Sequence, residues 1–104
     1  MSSQWKATER KVAKLIEGER YPANQGGRVD CKSDKYVVQV KERKSLSLEQ
    51  LTQLVEEIES IGKSKGKQGL VAVKVRRGSG RHSPILIVMS EDAWLEYVMK
   101  RSSK

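Results

Sequence analysis

The stretch RVDCKSDKYVVQVKERK, residues 28–44, decides how this chain is read. Tyr36 to Arg43 has the β-branched density of a strand, yet alternate positions carry Gln39 and Lys41. Successive strand side chains point to opposite faces, so Val37, Gln39, Lys41 and Arg43 share one face and Val38 and Val40 the other. Asp30 belongs to the preceding run, Arg28–Lys32, and Ser33-Asp34-Lys35 reads as a hairpin-like turn. With Ser33 and Asp34 as the loop residues, Asp30 pairs with Val37, diagonal to Gln39. Pairing with Val37 or with Gln39 puts Asp30 on the face of Gln39 and Lys41. A slip of one residue would move it to the other face.

Outward from this hairpin, periodicity supplies the remaining elements. Trp5, Val12, Leu15 and Ile16 recur at helical spacing between Ser3 and Gly18, with Gly18 as a stop. A short piece follows around Arg20-Tyr21, then the turn-forming PANQGG of residues 22–27. Ser47 and Gln50 form a capping-box pattern at the head of a second helix running to Ile61. Its stripe is Leu48, Leu51, Val55 and Ile58, widened by Leu54 and Ile61, and Gly62 suits the C′ position. KSKGKQG is a basic loop, Leu70–Val75 a strand, RRGSGRHSP a loop and Ile85–Met89 another strand. Ser90 caps a final helix over EDAWLEYVMK, and residues 101–104 read as a frayed tail. The order α-β-β-β-α-β-β-α predicts one α/β domain over residues 1–104, with a mixed central sheet flanked by helices. The apolar runs at Val37-Val38 and Leu70–Val75 suit strands covered on both faces. The strand–helix–strand unit from Tyr36 to Val75 should be parallel and right-handed.

Charge narrows the partner. The 104 residues hold 21 Lys+Arg against 13 Asp+Glu, a net +8 at pH 7. A small basic domain of this kind most often meets nucleic acid, DNA or RNA. A ribosomal or architectural protein would have the same balance. No apolar run reaches the roughly 20 residues of a bilayer span, and no secretory-signal pattern opens the chain. No helix opposes a basic face to bulky apolar residues, so a membrane surface is the poorer partner. The single Cys31 cannot form an internal disulfide, which suits a reducing cytoplasm. His82 is the one histidine, so neither a Ser/His/Asp triad nor a histidine-rich zinc centre is available.

Glu9 falls four residues after Trp5 and three before Val12, on or beside the apolar stripe. A carboxylate aimed inward calls for a partner or a metal. Glu9, Asp30 and Gln39 together offer three hard oxygens of the type Mg²⁺ prefers. A lysine two residues beyond Gln39 then reaches a phosphate or the attacking water, which points to metal-dependent phosphodiester hydrolysis. Each residue has a plainer reading. Asp30 suits a hairpin, Lys41 an edge strand, Glu9 a helix dipole, and Gln50 is explained by its cap. Lys6, Lys11, Arg28, Arg43, Lys44, Arg76, Arg77 and Arg81 are candidates for phosphate contact, with Asn24 and Gln25 in the glycine-containing turn. A solvated basic surface is the plain alternative for these.

Asp30, a hairpin, then Gln39-Val40-Lys41 resembles the PD-(D/E)xK nuclease superfamily in its Gln variant. The small size, the basic charge and Thr8-Glu9-Arg10, taken to open the first helix, are similar to archaeal-type and phage Holliday junction resolvases. The resemblance spans roughly residues 8–75. It implies that Asp30 bridges metal, that Gln39 and the Val40 carbonyl ligate, and that Glu9 is an outer or second-metal ligand. It gives Lys41 the transition-state charge or the orientation of the water. It further implies Mg²⁺, with Mn²⁺ as substitute, no organic cofactor, and paired cuts in four-way DNA junctions by a homodimer. Trp5, Trp94 or Tyr97 would contribute to the dimer contact. The setting would be recombination and repair in the cytoplasm of a bacterial, archaeal or phage-infected cell. Val29 stands where the family has Pro, and Gln39 supplies no charge. A restriction-like or repair endonuclease with the same core, and a non-catalytic basic nucleic-acid-binding protein, are the alternatives.

Overall fold

Two Val-rich strands run side by side through the middle of a five-stranded sheet in the computed structural model. It describes residues 2–21, 28–78 and 80–102, with side chains for 6–21, 28–78 and 80–100. The elements are α1 (Ser2–Leu15), β1 (Glu19–Arg20), β2 (Cys31–Lys32), β3 (Tyr36–Arg43), α2 (Leu48–Ser64), β4 (Gln68–Val75), β5 (Ile85–Val88) and α3 (Glu91–Ser102). The sheet order follows the chain, β1-β2-β3-β4-β5. β3 and β4 are parallel and joined by α2, while the other neighbours are antiparallel.

The central strands are apolar throughout because both faces are covered. Val38, Val40, Leu70 and Ala72 pack with Val12 and Ala13 of α1, and Cys31 joins them. Val37, Val71 and Val73 pack on the opposite face with Val29 and with Val55 and Ile58 of α2. One compact α/β domain results, with α1 and α2 on opposite faces. No helix among the described residues is long and apolar enough to cross a membrane.

α2 opens as its sequence predicts. Ser47 Oγ accepts from Gln50 N at 3.1 Å, and Gln50 Oε1 accepts from Ser47 N at 2.9 Å. Its end differs from the expectation. Gly62 is not the C′ residue: the helix continues to Ser64, with Lys65 as C-cap. Gly62 is instead a contact point, where a Cβ would fall 2.6 Å from the Lys67 carbonyl oxygen and 2.9 Å from Gly69 N. α1 also stops earlier than expected, at Leu15. Glu17 takes a left-handed turn (φ 55°) and Gly18 N donates to Ala13 O at 2.8 Å. Gly18 then passes so near β2 that a Cβ would lie 2.0 Å from the Lys32 carbonyl oxygen. Thr8-Glu9-Arg10 therefore lies inside α1 rather than at its start. Arg101 and Ser102 belong to α3 and not to a frayed tail, and residues 103–104 lie outside the described part.

The hairpin takes the second of the two expected registers, the one that continues to Asp30 opposite Gln39, and not the one with Ser33 and Asp34 as loop residues. Cys31 faces Val38 and Lys32 faces Val37. The turn spans Ser33 to Tyr36, closed by Ser33 N to Tyr36 O at 2.8 Å. The Ser33 hydroxyl accepts from the amides of Lys35 and Tyr36, so Asp34 and Lys35 form its tip. A shift of two leaves every side chain on its face. The paired part of the strand before the turn is only Cys31–Lys32, not Arg28–Lys32.

Candidate metal and phosphate site

Asp30 stands one residue before β2, where the ladder with β3 breaks. Its N–H donates to the Val38 carbonyl at 2.9 Å, although the register partner of Val38 is Cys31. Two successive residues thus meet one residue of β3, the arrangement of a β-bulge. Asp30 Oδ2 accepts from Val40 N at 2.8 Å, replacing the next bond of the ladder. The carboxylate is therefore near the plane of the sheet, at the vacated end of β2. It is not aligned on the face of Gln39 and Lys41 as a regular strand would place it. The bulge is what overrides the alternation.

From that position Asp30 meets groups of both layers. Burial pushes its carboxyl above the ordinary value of 3.8, while the bond from Val40 pulls it down. The charge of Glu9 adds to the rise, and Lys41 and Arg20 oppose it. Glu9 comes from the α1 side and is almost fully buried, at 6% exposure. Its Oε1 accepts from Arg20 Nε at 2.9 Å. Its backbone carbonyl accepts from the Cys31 thiol at 3.3 Å, and burial raises that thiol from 9.0 to about 12. Cys31 is thus a buried, free thiol.

Gln39 shares the face of Val37, towards α2, and is 5% exposed. Its Oε1 is buried without a hydrogen-bond partner. Most buried polar atoms are satisfied, so an orphan acceptor needs an explanation. Val40 directs its amide and carbonyl towards β2, as Val38 does, because alternate residues address the same neighbouring strand. Lys41 follows, half-buried. The candidate oxygen set is then Asp30 with its neighbour Glu9, and the Gln39 amide and Val40 carbonyl on the stretch of β3 that Asp30 bonds to, with Lys41 and Arg20 as charged neighbours of Asp30. This oxygen set fits a hard divalent cation, and the orphaned Gln39 Oε1 is the observation that favours the fit. Among the described residues no three His, Cys, Asp or Glu side chains gather as a metal group, so any ion here depends on Gln39 and Val40.

Part of the basic set gathers at one end of the sheet. Arg76 N donates to Arg43 O at 2.8 Å, which brings Arg43, Lys44, Arg76 and Arg77 together at the carboxyl ends of β3 and β4. Ligands of open α/β sheets favour that end. α1 reaches the same end, since Lys74 Nζ contacts Thr8 Oγ1 at 3.5 Å. Lys6 and Lys11 are exposed on α1, and Arg81 is exposed beyond the β4–β5 loop. Among the described residues, Arg28 pairs with Glu57, and Arg76 lies 4.0 Å from Glu42. Asn24 and Gln25 lie outside the described residues, as does the Trp5 side chain. Gln50 is spent on its cap.

Arg20 has the role that the sequence did not reveal. Only the sheet provides it: β1 pairs Arg20 with Cys31, and Arg20 Nε reaches Glu9. A two-residue strand gives no alternation from which to infer this.

Comparison of the chain with family models, curated proteins and solved structures found no match.

Proposed function

We propose that this protein is a metal-dependent DNA endonuclease that cuts four-way junctions. The reading rests above all on the unsatisfied, buried oxygen of Gln39, on the strand to which the desolvated Asp30 bonds, with Lys41 two residues on. A Mg²⁺ or Mn²⁺ ion held by Asp30, Gln39 and the Val40 carbonyl, with Glu9 as outer ligand, would supply an acidified water and charge neutralisation.

The chain's own groups do the rest. The Val40 amide fixes one oxygen of Asp30 and leaves the other for ligation. Arg20 fixes Glu9 in the same way through one oxygen. The ammonium of Lys41 stabilises charge that develops on the phosphate oxygens, worth most in a water-poor site. Arg43, Lys44, Arg76 and Arg77 hold the backbone of the substrate without reading its sequence. Paired cuts in a junction require two such sites and therefore two copies. A restriction-like or repair nuclease would use the same residues on linear DNA.

One observation favours a second reading, a non-catalytic nucleic-acid-binding protein. Arg20 and the Val40 amide already give Glu9 and Asp30 partners within the chain. Cleavage of a labelled four-way junction beside a linear duplex, with Mg²⁺ or EDTA, separates the readings. The nuclease makes paired, Mg²⁺-dependent nicks in the junction, and Lys41→Ala abolishes them while the protein still binds. Cuts in the duplex alone would favour the restriction-like enzyme. Tight binding without cleavage in any metal would overturn the proposal.

A further inference from the structure

A second basic cluster lies at the far end of the central strands from Arg43 and Arg76. The segment KSKGKQG, residues 63–69, reads as one basic loop. Its first two residues close α2 and its last two open β4, so the turn itself is Lys65–Lys67. The amides of Lys65 and Lys67 both donate to the Gly62 carbonyl, at 2.9 and 2.8 Å, and Gly66 turns the chain at φ 70°. These bonds hold Lys63, Lys65 and Lys67 close together at the end of the helix. Gln68 N donates to Lys35 O at 2.9 Å, which brings Lys35 of the hairpin to the same place. Lys35, Lys63 and Lys65 are exposed and Lys67 is partly so.

Among the described residues, none of these four lysines takes part in an ion pair. No Asp or Glu occurs in the sequence between Glu59 and Glu91. The acids nearby belong to other elements. The turn forms one side of a groove of about 750 Å³, which Asp34 and Glu56 also line, and Asp92 and Glu96 of α3 stand on the other side. Glu59, in the same groove, accepts from Ser90 Oγ at 2.5 Å and from Gln68 Nε2 at 3.3 Å. A polyanion is therefore drawn to the lysine turn and turned away from α3. Lys63 and Lys65 also complement the negative end of α2. Lys35, on the hairpin, lies outside that explanation.

Distance gives the cluster its meaning. β3 separates Lys35 from Lys44 by about 30 Å, at ~3.3 Å per residue. α2 returns over 17 residues, about 25 Å at ~1.5 Å each. Arg43, Lys44, Arg76 and Arg77 form a row across the carboxyl ends of β3 and β4, and the lysine turn lies away from that row along the strands. One straight duplex follows one of these directions. Two arms that diverge from a branch follow both. We propose that Lys35, Lys63, Lys65 and Lys67 bind the phosphates of a second duplex arm and so distinguish branched from linear DNA. The arm meets them about nine base pairs from the carboxyl-end row, at ~3.4 Å per pair. The inference rests on the DNA binding of the proposed function, but not on cleavage or on the metal site.

The test is binding of a synthetic four-way junction, and of a linear duplex of the same arm sequence, in EDTA across a series of salt concentrations. Each phosphate contact contributes about 0.9 to the slope of log K against log salt. The triple variant Lys63→Gln, Lys65→Gln, Lys67→Gln should lower the junction slope by about 2–3 and leave the duplex slope unchanged. Lys35→Gln, a single change at an exposed turn, should lower the junction slope by about 1. Circular dichroism of both variants should match the wild type. An unchanged junction slope overturns this proposal alone, and the lysines then serve only the helix end and solubility. An equal fall on both DNAs overturns it too, because a general loss of positive charge acts on junction and duplex alike. Wild type that binds neither DNA overturns the proposed function, and the second-arm contact with it.

Discussion

Replacing Gln39 by Met should make the protein more stable and less able to bind metal. Gln39 is 5% exposed and its Oε1 has no partner, so folding strips water from an acceptor and returns nothing. An unsatisfied buried polar atom costs about 1–3 kcal/mol. A thioether of similar length removes that cost and forfeits at most one amide N–H bond, worth about 0.5–1.5 kcal/mol. The expected net gain is about 1 kcal/mol, or roughly 4–8 °C in Tm for a domain of this size. Urea unfolding in EDTA measures it. Repeating the titration in Mg²⁺ or Mn²⁺ supplies the second half. The wild type should gain RT ln(1 + [L]/Kd), about 2.7 kcal/mol at a hundredfold excess over Kd, and Gln39→Met much less. A variant less stable than wild type in EDTA would refute the reasoning, because Gln39 would then be satisfied by the fold.

Three further outcomes follow from particular contacts. The raised carboxyl of Asp30 means that the native state binds this proton more tightly than the unfolded chain. Its contribution to stability is therefore complete below pH 3.8 and is lost as pH rises through the native value. Asp30→Asn should remove that decline from the urea midpoint measured across mildly acidic pH. Cys31, held up at about 12, should resist alkylation at pH 8 in the native protein and react once urea unfolds it. Stability should also fall as pH rises from 9 towards 12, a fall that Cys31→Ser lacks. Gly62→Ala would gain about 1 kcal/mol in an ordinary helix interior. Here its Cβ meets the backbone of Lys67 and Gly69, so the variant should be destabilised, as thermal unfolding would report.

Much of the architecture was legible because local signals and burial agreed. The strand Tyr36–Arg43 and the capping box of Ser47 and Gln50 stand where the pattern put them. Density of β-branched residues marked β3 and β4 as covered on both faces, and the two core clusters bear this out. The misreadings come from long-range contact. Gly62 resembles a helix stop locally, but it is kept small by the strand that packs against it. The bulge at Asp30 depends on bonds to Val38 and Val40 that no alternation rule contains. The burial of Glu9 followed from its place beside the apolar stripe, but its pairing with Arg20 required the sheet. The exposed side of α3 was hidden for the opposite reason: its apolar residues look like core residues in sequence. Only the fold reveals that Trp94, Leu95 and Met99 stay at least half exposed.

The central claim is that Asp30, Gln39, the Val40 carbonyl and Glu9 form one divalent-cation site. Paramagnetic resonance of free Mn²⁺ during titration with protein tests it directly, without substrate. The account predicts Mn²⁺ bound at this site, lost in Asp30→Asn and weakened in Gln39→Met, with Mg²⁺ competing for it. Equal binding in wild type and Asp30→Asn, or no binding in either, would contradict it.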